Sequence, residues 1–161
     1  MKPAAVKPAA WTPARVVATL GGIGYVRPAP GTWAAAFVLP LAWLGPLPCL
    51  GLALLLTLAG FWAVRRLSRE GAERDPGWVV VDEAAGQLLA LAAIPAGAPW
   101  LWVVVAFALF RFFDILKWGP VGWADRRKGF FWVVVDDLIA GAMAAATLLA
   151  LRAALLPEGL F

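Results

Sequence analysis

From residue 12 onward the chain alternates long apolar runs with short breaks of proline, glycine and charge. Thr12-Pro13 predicts a helix start, a hydroxyl N-cap followed by proline at the first helical position. Gly21-Gly22 closes that short helix, which reads as interfacial. Residues 24–33, GYVRPAPGTW, form a Pro/Gly loop, and Thr32 is placed to cap the next helix, Trp33 to Leu44, which ends at Gly45-Pro46-Leu47-Pro48. A second apolar run covers Leu47 to Val64. At ~1.5 Å per residue it reaches ~27 Å, close to a hydrocarbon core of ~30 Å. Residues 65–77, RRLSREGAERDPG, form the first long polar loop. The third segment is Trp78 to Ile94, closed by Pro95-Ala96-Gly97-Ala98-Pro99; the fourth runs from Trp100 to about Lys117. Residues 118–129 make a second polar loop, and the fifth segment runs from Phe130 to about Leu156. Short turns between such segments predict an all-α bundle in up-and-down order, about five hydrophobic helices plus the short N-terminal interfacial one.

Composition turns this bundle into a membrane protein. The chain is 63% hydrophobic and 15% charged, with a mean hydropathy of +0.81, outside the range of ordinary soluble domains. A length of 161 residues suits one domain with one core, here residues 11–161, preceded by a disordered lead over residues 1–10, MKPAAVKPAA. That lead carries Lys2, Lys7, Pro3 and Pro8 without the apolar run of a signal peptide. The apolar excess is too large for one core to hide, so the bilayer must act as solvent.

Charge gives orientation. With the N-terminus in the cytoplasm, residues 65–77 and 118–129 are cytoplasmic too. All of the 14 Lys and Arg then lie on or near that side except Arg152, while the turns at 45–48 and 95–99 are uncharged. The expected topology is five spans with the N-terminus inside. The first span is short and the third carries acids, so either could be re-entrant or shielded by neighbours. The net charge of +4 is therefore an orientation signal; nucleic-acid binding would not be mounted on so hydrophobic a scaffold.

The acids are few and oddly placed. Residues 78–86 read WVVVDEAAG and residues 132–141 read WVVVDDLIAG, in a chain with only 10 acidic residues. A third lead-in, Trp102-Val103-Val104-Val105, carries no acid, so it is the acidic pairs that require an explanation. In the expected topology Asp82 and Glu83 lie one turn inside the third helix, Asp136 and Asp137 nearly two turns inside the fifth, and Asp114 near the cytoplasmic end of the fourth. Five carboxylates thus reach similar depth. A charge at a helix centre costs about 2.5–3.5 kcal/mol on insertion scales, and only Arg111 and Lys117 are nearby partners on these helices. A divalent cation would neutralise the excess, and oxygen-only ligands suit Mg²⁺ better than zinc. Gly86 and Gly141 each follow an acid by four residues and share its face, so another helix can approach closely there. Structural ion pairing, or acids favoured by a helix N-terminus, is the plainer alternative.

Other polar groups gather on the same side. Arg111, Asp114 and Lys117 recur every three residues, and Asp125, Arg126, Arg127 and Lys128 follow in the loop. Arginine and lysine beside a metal suit phosphate capture, against the alternative of topogenic charge. The APGTW loop (29–33) presents amides and Thr32 at a helix start, which can bind an anion or merely cap. The tryptophans fit an interfacial belt. Cys49, alone in an apolar run, offers no disulfide and a poor nucleophile. The absence of histidine excludes triads, histidine metal sites and phosphohistidine chemistry.

GYVRPAPGTW (24–33), DEAAG (82–86), FRFFDILK (110–117), DR (125–126) and DDLIAG (136–141), in this order and spacing, resemble the phosphatidylglycerophosphatase A family over roughly residues 15–150. The resemblance implies an all-α inner-membrane fold and Mg²⁺-dependent removal of the terminal phosphate from phosphatidylglycerophosphate, yielding phosphatidylglycerol. It implies metal-binding or catalytic roles for Asp82, Glu83, Asp114, Asp136 and Asp137. Arg111 and Lys117 belong to the same blocks as phosphate ligands, joined by Arg27 and Thr32 of the first block and Arg126 of the fourth. Asp114 is left as a further ligand, a general base or a nucleophile. Three positions depart from the pattern: Lys117-Trp118-Gly119-Pro120 stands for Lys-Pro-x-Pro, Gly129-Phe130-Phe131-Trp132 for a glycine-rich run, and Ala34 for a glycine. An ion or proton path is the leading rival, but it predicts acids spread across the bilayer depth. A structural membrane scaffold would not need clustered carboxylates.

Overall fold

The computed structural model describes residues 11–71, 76–127 and 129–155. The expected lead at 1–10, part of the first polar loop and Lys128 lie outside those residues. The described chain is all helical: α1 (Pro13–Ala18), a 3₁₀ turn (Ile23–Tyr25), α2 (Pro30–Phe37), a second 3₁₀ stretch (Leu39–Leu44), α3 (Pro46–Arg69), α4 (Val81–Leu91), α5 (Trp100–Leu116), α6 (Pro120–Asp125) and α7 (Phe130–Leu155). No strand occurs among the described residues.

The Thr12 side chain caps α1 by accepting a hydrogen bond from the Arg15 amide at 3.3 Å, as its position predicts. The chain then turns through Leu20, Gly21 and Gly22, all at positive φ, so the two glycines stop the helix. Several expected boundaries moved, and α3 continues to Arg69, into the expected polar loop at 65–77. The segment after the first loop starts at Pro30, with Ala29 as N-cap, so Thr32 sits inside the first turn of α2 and is not its cap. This segment is also not one helix to Leu44. Pro40 has no amide to donate and its ring crowds the carbonyl four residues back, so α2 stops at Phe37 and continues as a 3₁₀ stretch. Residues 118–129 were expected as loop, but Gly119-Pro120 starts the short helix α6.

The third segment is shorter than its apolar run. Trp78 lies in a turn, with the Val79 amide donating to the Pro76 carbonyl at 2.9 Å, and the Val80 amide donates to the Ala18 carbonyl at 2.8 Å, tying α1 to the start of α4. Branched valines lose side-chain freedom in a helix and tolerate this non-helical path. Consequently α4 begins at Val81, and Asp82 and Glu83 occupy its first turn, where a turn of helix was expected to precede them.

α4 is the central element. Nine of its residues are buried, Val81, Asp82, Ala84, Ala85, Gly86, Gln87, Leu88, Ala90 and Leu91. Its all-round apolarity reflects enclosure by other helices. With 11 residues it is only ~17 Å long, about half a hydrocarbon core. Its most extensive partner is α7, followed by α3. α7 runs parallel to α4: Gly141 meets Gly86 at the middle of α4, and Arg152 reaches the Ala93 carbonyl just past its end. α3 runs the opposite way, from Gly45, whose missing side chain faces Ala96, to Gly60 beside Val81 and Val134.

Two described helices, Pro46–Arg69 and Phe130–Leu155, are long and apolar enough to cross a membrane, with mean hydropathies of 2.1 and 1.9. Only 33% and 28% of these stretches are buried inside the protein, unlike the core helix of a soluble domain. α3 turns Leu47, Leu54, Leu55 and Leu58 outward, with Leu47 80% exposed. Such a surface suits an apolar solvent, as in a membrane-associated protein. At the far end from the acids, Arg152 is buried and its Nη1 donates to the Ala93 carbonyl at 2.6 Å, satisfying a terminal carbonyl of the α4 end.

Candidate active site

The carboxylates meet because α4 and α7 cross at two glycines. A Cβ placed on Gly86 would lie 2.5 Å from the Asp137 carbonyl oxygen and 2.7 Å from a Phe110 ring carbon. One placed on Gly141 would strike the Gly86 carbonyl. Only glycine allows backbones so close, as the four-residue spacing after Asp82 and Asp137 predicts.

At this crossing Asp82, Glu83 and Asp137 each offer a carboxylate oxygen, all within 4.8 Å of one another. Asp82 is 3% exposed and Asp137 7% exposed. Asp82 and Glu83 stand at the positive end of the α4 dipole, which favours negative charge. Asp82 Oδ1 accepts the Glu83 amide at 3.1 Å, and Asp136 Oδ1 accepts the Asp137 amide at 3.2 Å. Glu83 Oε2 is buried without a hydrogen-bond partner. Gly31 of α2 abuts the same side chain, since a Cβ there would run into the Glu83 carboxylate. The APGTW loop thus borders the site through Gly31, whose amide lies at the N-terminal end of α2.

The remaining sequence-predicted acids divide by azimuth. Adjacent helical residues point ~100° apart, and Asp136 and Asp137 take different neighbours. Asp137 turns to α4, while Asp136 Oδ2 lies 3.6 Å from Lys117 Nζ. Asp114 pairs with Arg111 one turn earlier on α5. The expected set of five therefore resolves into a tight trio flanked by two ion-paired acids. Charges on Asp114 and Asp136 still act on Asp137, and those on Asp114 and Arg111 act on Glu83, so the group is one electrostatic unit.

Lys117 ends α5 in the left-handed conformation, φ +51°, and pairs with Asp125 as well as Asp136. Burial works against its ammonium. The hydrogen bond to Asp125 and the negative charges of Asp136, Asp125 and Asp137 outweigh that and raise its pKa above the ordinary lysine value. It stays cationic. Arg111 Nε is buried without a hydrogen-bond partner. Of the other predicted phosphate ligands, Thr32 is half-buried in α2 beside Gly31, whereas Arg27 and Arg126 are exposed and without an ion pair to another described residue. Arg127 stacks over Trp123 at 4.1 Å and Trp132 at 5.1 Å, pinning α6 to the start of α7.

Two residues at the site were not singled out in the sequence. Gly31 was hidden in a loop motif read for its amides and threonine. Gln87, one turn beyond Glu83, is fully buried, and neither carboxamide atom has a hydrogen-bond partner. Its only sequence signal was its four-residue spacing from Glu83.

Three hard oxygen donors within 4.8 Å fit one octahedral divalent cation, for which opposed ligands at 2.0–2.1 Å lie about 4.2 Å apart. An unpartnered buried oxygen on Glu83 is consistent with that role. With Arg111 and Lys117 alongside, the arrangement suits an anionic phosphate ester.

Comparison with known proteins gives the family. The model of the family Phosphatidylglycerophosphatase A matches residues 16–152. A Phosphatidylglycerophosphatase A of Haemophilus influenzae is 35% identical over 146 residues, covering 87% of this chain and 89% of that protein. The Escherichia coli protein of the same name is 30% identical, covering 79% and 76% respectively. A Bacteroides thetaiotaomicron protein provisionally named a phosphatidylinositol-3-phosphatase is 39% identical over 137 residues, covering 78% and 85%. No solved structure matches the chain. The chain belongs to the phosphatidylglycerophosphatase A family, and thereby to the phosphoric monoester hydrolases.

Proposed function

We propose that the protein is a Mg²⁺-dependent lipid phosphomonoesterase that converts phosphatidylglycerophosphate to phosphatidylglycerol in a bacterial inner membrane. The observation that carries this reading is the convergence of Asp82, Glu83 and Asp137 at one end of the bundle, next to Arg111 and Lys117. These three carboxylates would hold the cation, which when bound supplies charge stabilisation and a more acidic water. Arg111 and Lys117 bind the phosphate oxygens and oppose the charge that grows on them. Asp114, held by Arg111, is placed to orient or deprotonate water. Asp136 and Asp125 fix the Lys117 ammonium.

The direction of the helices supports a multi-pass chain with its N-terminus and site at the cytoplasmic face. α3 ends and α4 and α7 begin at the acid end, where Arg66, Arg69, Lys117 and Arg127 also lie, while Arg152 marks the opposite end. In the proposed membrane α3 and α7 span, α5 of 17 residues nearly does, and α4 with α2 is shielded by them. The acyl chains of the substrate stay in the bilayer while its phosphate reaches the carboxylates. Acids crowded at one end disfavour an ion path through the membrane. A panel of lipid phosphates tests the substrate assignment: kcat/KM should be highest for phosphatidylglycerophosphate, with phosphatidylinositol 3-phosphate and phosphatidic acid far below. Faster turnover of the inositol lipid would replace the assignment.

A further inference from the structure

Gln87 has no place in the chemistry above, yet it is the least explained polar group in the protein. It is fully buried, and both its Nε2 and its Oε1 lack a hydrogen-bond partner. Buried amides are almost always bonded, so an orphaned donor and acceptor on one side chain call for a partner outside the chain. Its position says where that partner would be. Gln87 follows Glu83 by four residues, so the two side chains stack on one face of α4. Glu83 Oε2 is itself buried and unpartnered. α2 starts with Gly31 against Glu83, and one turn on it presents Ala34 and Ala35, both fully buried. Ala35 packs in one cluster with Ala90 of α4 and Phe110 of α5. Methyl and phenyl groups cannot satisfy a carboxamide.

We infer that Gln87 is a further binding residue of the acidic site, its carboxamide holding an oxygen that both donates and accepts, beside Glu83 Oε2. Water and a hydroxyl of the substrate's alcohol share that chemistry. A neutral amide is suited to either, since it adds no charge to an already anionic pocket and offers one donor edge and one acceptor edge. The inference rests on the phosphatase reading and assigns this site a ligand contact that the carboxylates alone do not provide.

The test uses the full chain in detergent with Gln87→Met, which keeps the volume and removes both polar atoms, and Gln87→Leu as a second variant. Two substrates are compared, phosphatidylglycerophosphate and an analogue whose headgroup hydroxyl is replaced by hydrogen, alongside melting temperature without Mg²⁺. The expected result is a melting temperature equal to or above wild type, with kcat/KM lowered about tenfold or more. An equal loss on both substrates identifies the oxygen as water, carried mainly in kcat. A loss confined to phosphatidylglycerophosphate identifies it as the substrate hydroxyl, carried mainly in KM. Unchanged kcat/KM on both substrates, or variants that both melt several degrees lower, would overturn the inference, the latter because the amide would then be bonded within the fold. A wild type that released no phosphate would instead fail the phosphatase reading, so the two failures are distinct.

Discussion

Replacing Gly141 with alanine probes the helix crossing that assembles the carboxylates. The new methyl would collide with the Gly86 carbonyl oxygen and lie 2.9 Å and 3.0 Å from the Gly86 carbonyl carbon and Cα. Unstrained carbon contacts need about 3.5 Å, so α4 and α7 must part locally by at least about half an ångström. All three obstructing atoms are backbone, so no side chain can swing aside. Overpacking of this kind costs about 1–3 kcal/mol. For a chain of this length that lowers the melting temperature by roughly 2–12 °C. The functional loss should be larger. Asp137 lies one turn before Gly141, and Asp82 one turn before Gly86, so the separation opens between the two walls of the carboxylate trio. Displacements approaching 1 Å can cost about 10²-fold in rate. The assay is phosphate release against Mg²⁺ concentration, with thermal melting in the same detergent. Gly51→Ala on α3 is the control, because a Cβ there meets nothing within 4 Å. If Gly141→Ala matched wild type in Mg²⁺ half-saturation, rate and melting while folded, the crossing would not be what positions the carboxylates.

The division of the acids yields a second prediction. Asp82→Asn should raise the half-saturating Mg²⁺ concentration at least tenfold, whereas Asp114→Asn should lower kcat by about 10²–10⁴ with Mg²⁺ half-saturation nearly unchanged. Titration of rate against Mg²⁺ for both variants separates them. Arg152→Met should lower stability by about 1–3 kcal/mol, since it removes the donor to the buried Ala93 carbonyl, and leave the KM for substrate untouched. Thermal melting and steady-state kinetics check both halves. Arg127→Ala should cost about 0.5–2 kcal/mol through loss of its contacts over Trp123 and Trp132, read by melting alone.

How much of this was legible in the sequence depends on which property was being read. Helix order, the ends of α5 and α7 and the cap at Thr12 followed from apolar runs bounded by Pro, Gly and hydroxyl residues. α6 and the break after Phe37 were also written there, in Gly119-Pro120 and Pro40, but the surrounding polarity and apolarity masked them. The Trp78-Val79-Val80 stretch was misread because hydropathy does not distinguish an apolar non-helical lead-in from a helix turn. That the acids share one end of the bundle was readable, although the position of Asp82 and Glu83 within their helix was not, because α4 starts later than its apolar run. Azimuth was not readable either, because it depends on which helices are neighbours. Asp136 and Asp137 therefore looked alike, and only the Gly86–Gly141 crossing sends one to α4 and the other to Lys117. Gln87 was invisible for a related reason: its importance lies in partners it lacks, and no sequence pattern records those.

The central claim is that Asp82, Glu83 and Asp137 act together as the cation-holding core of a lipid phosphatase. The most direct measurement is phosphate release from phosphatidylglycerophosphate by the purified full chain, with Mg²⁺ and then with a chelator, beside a folded Asp137→Asn variant. Release by wild type that stops with the chelator, returns with Mg²⁺ and falls at least 10²-fold in the variant is the predicted result. Undiminished release in the chelator, or by Asp137→Asn, would contradict it.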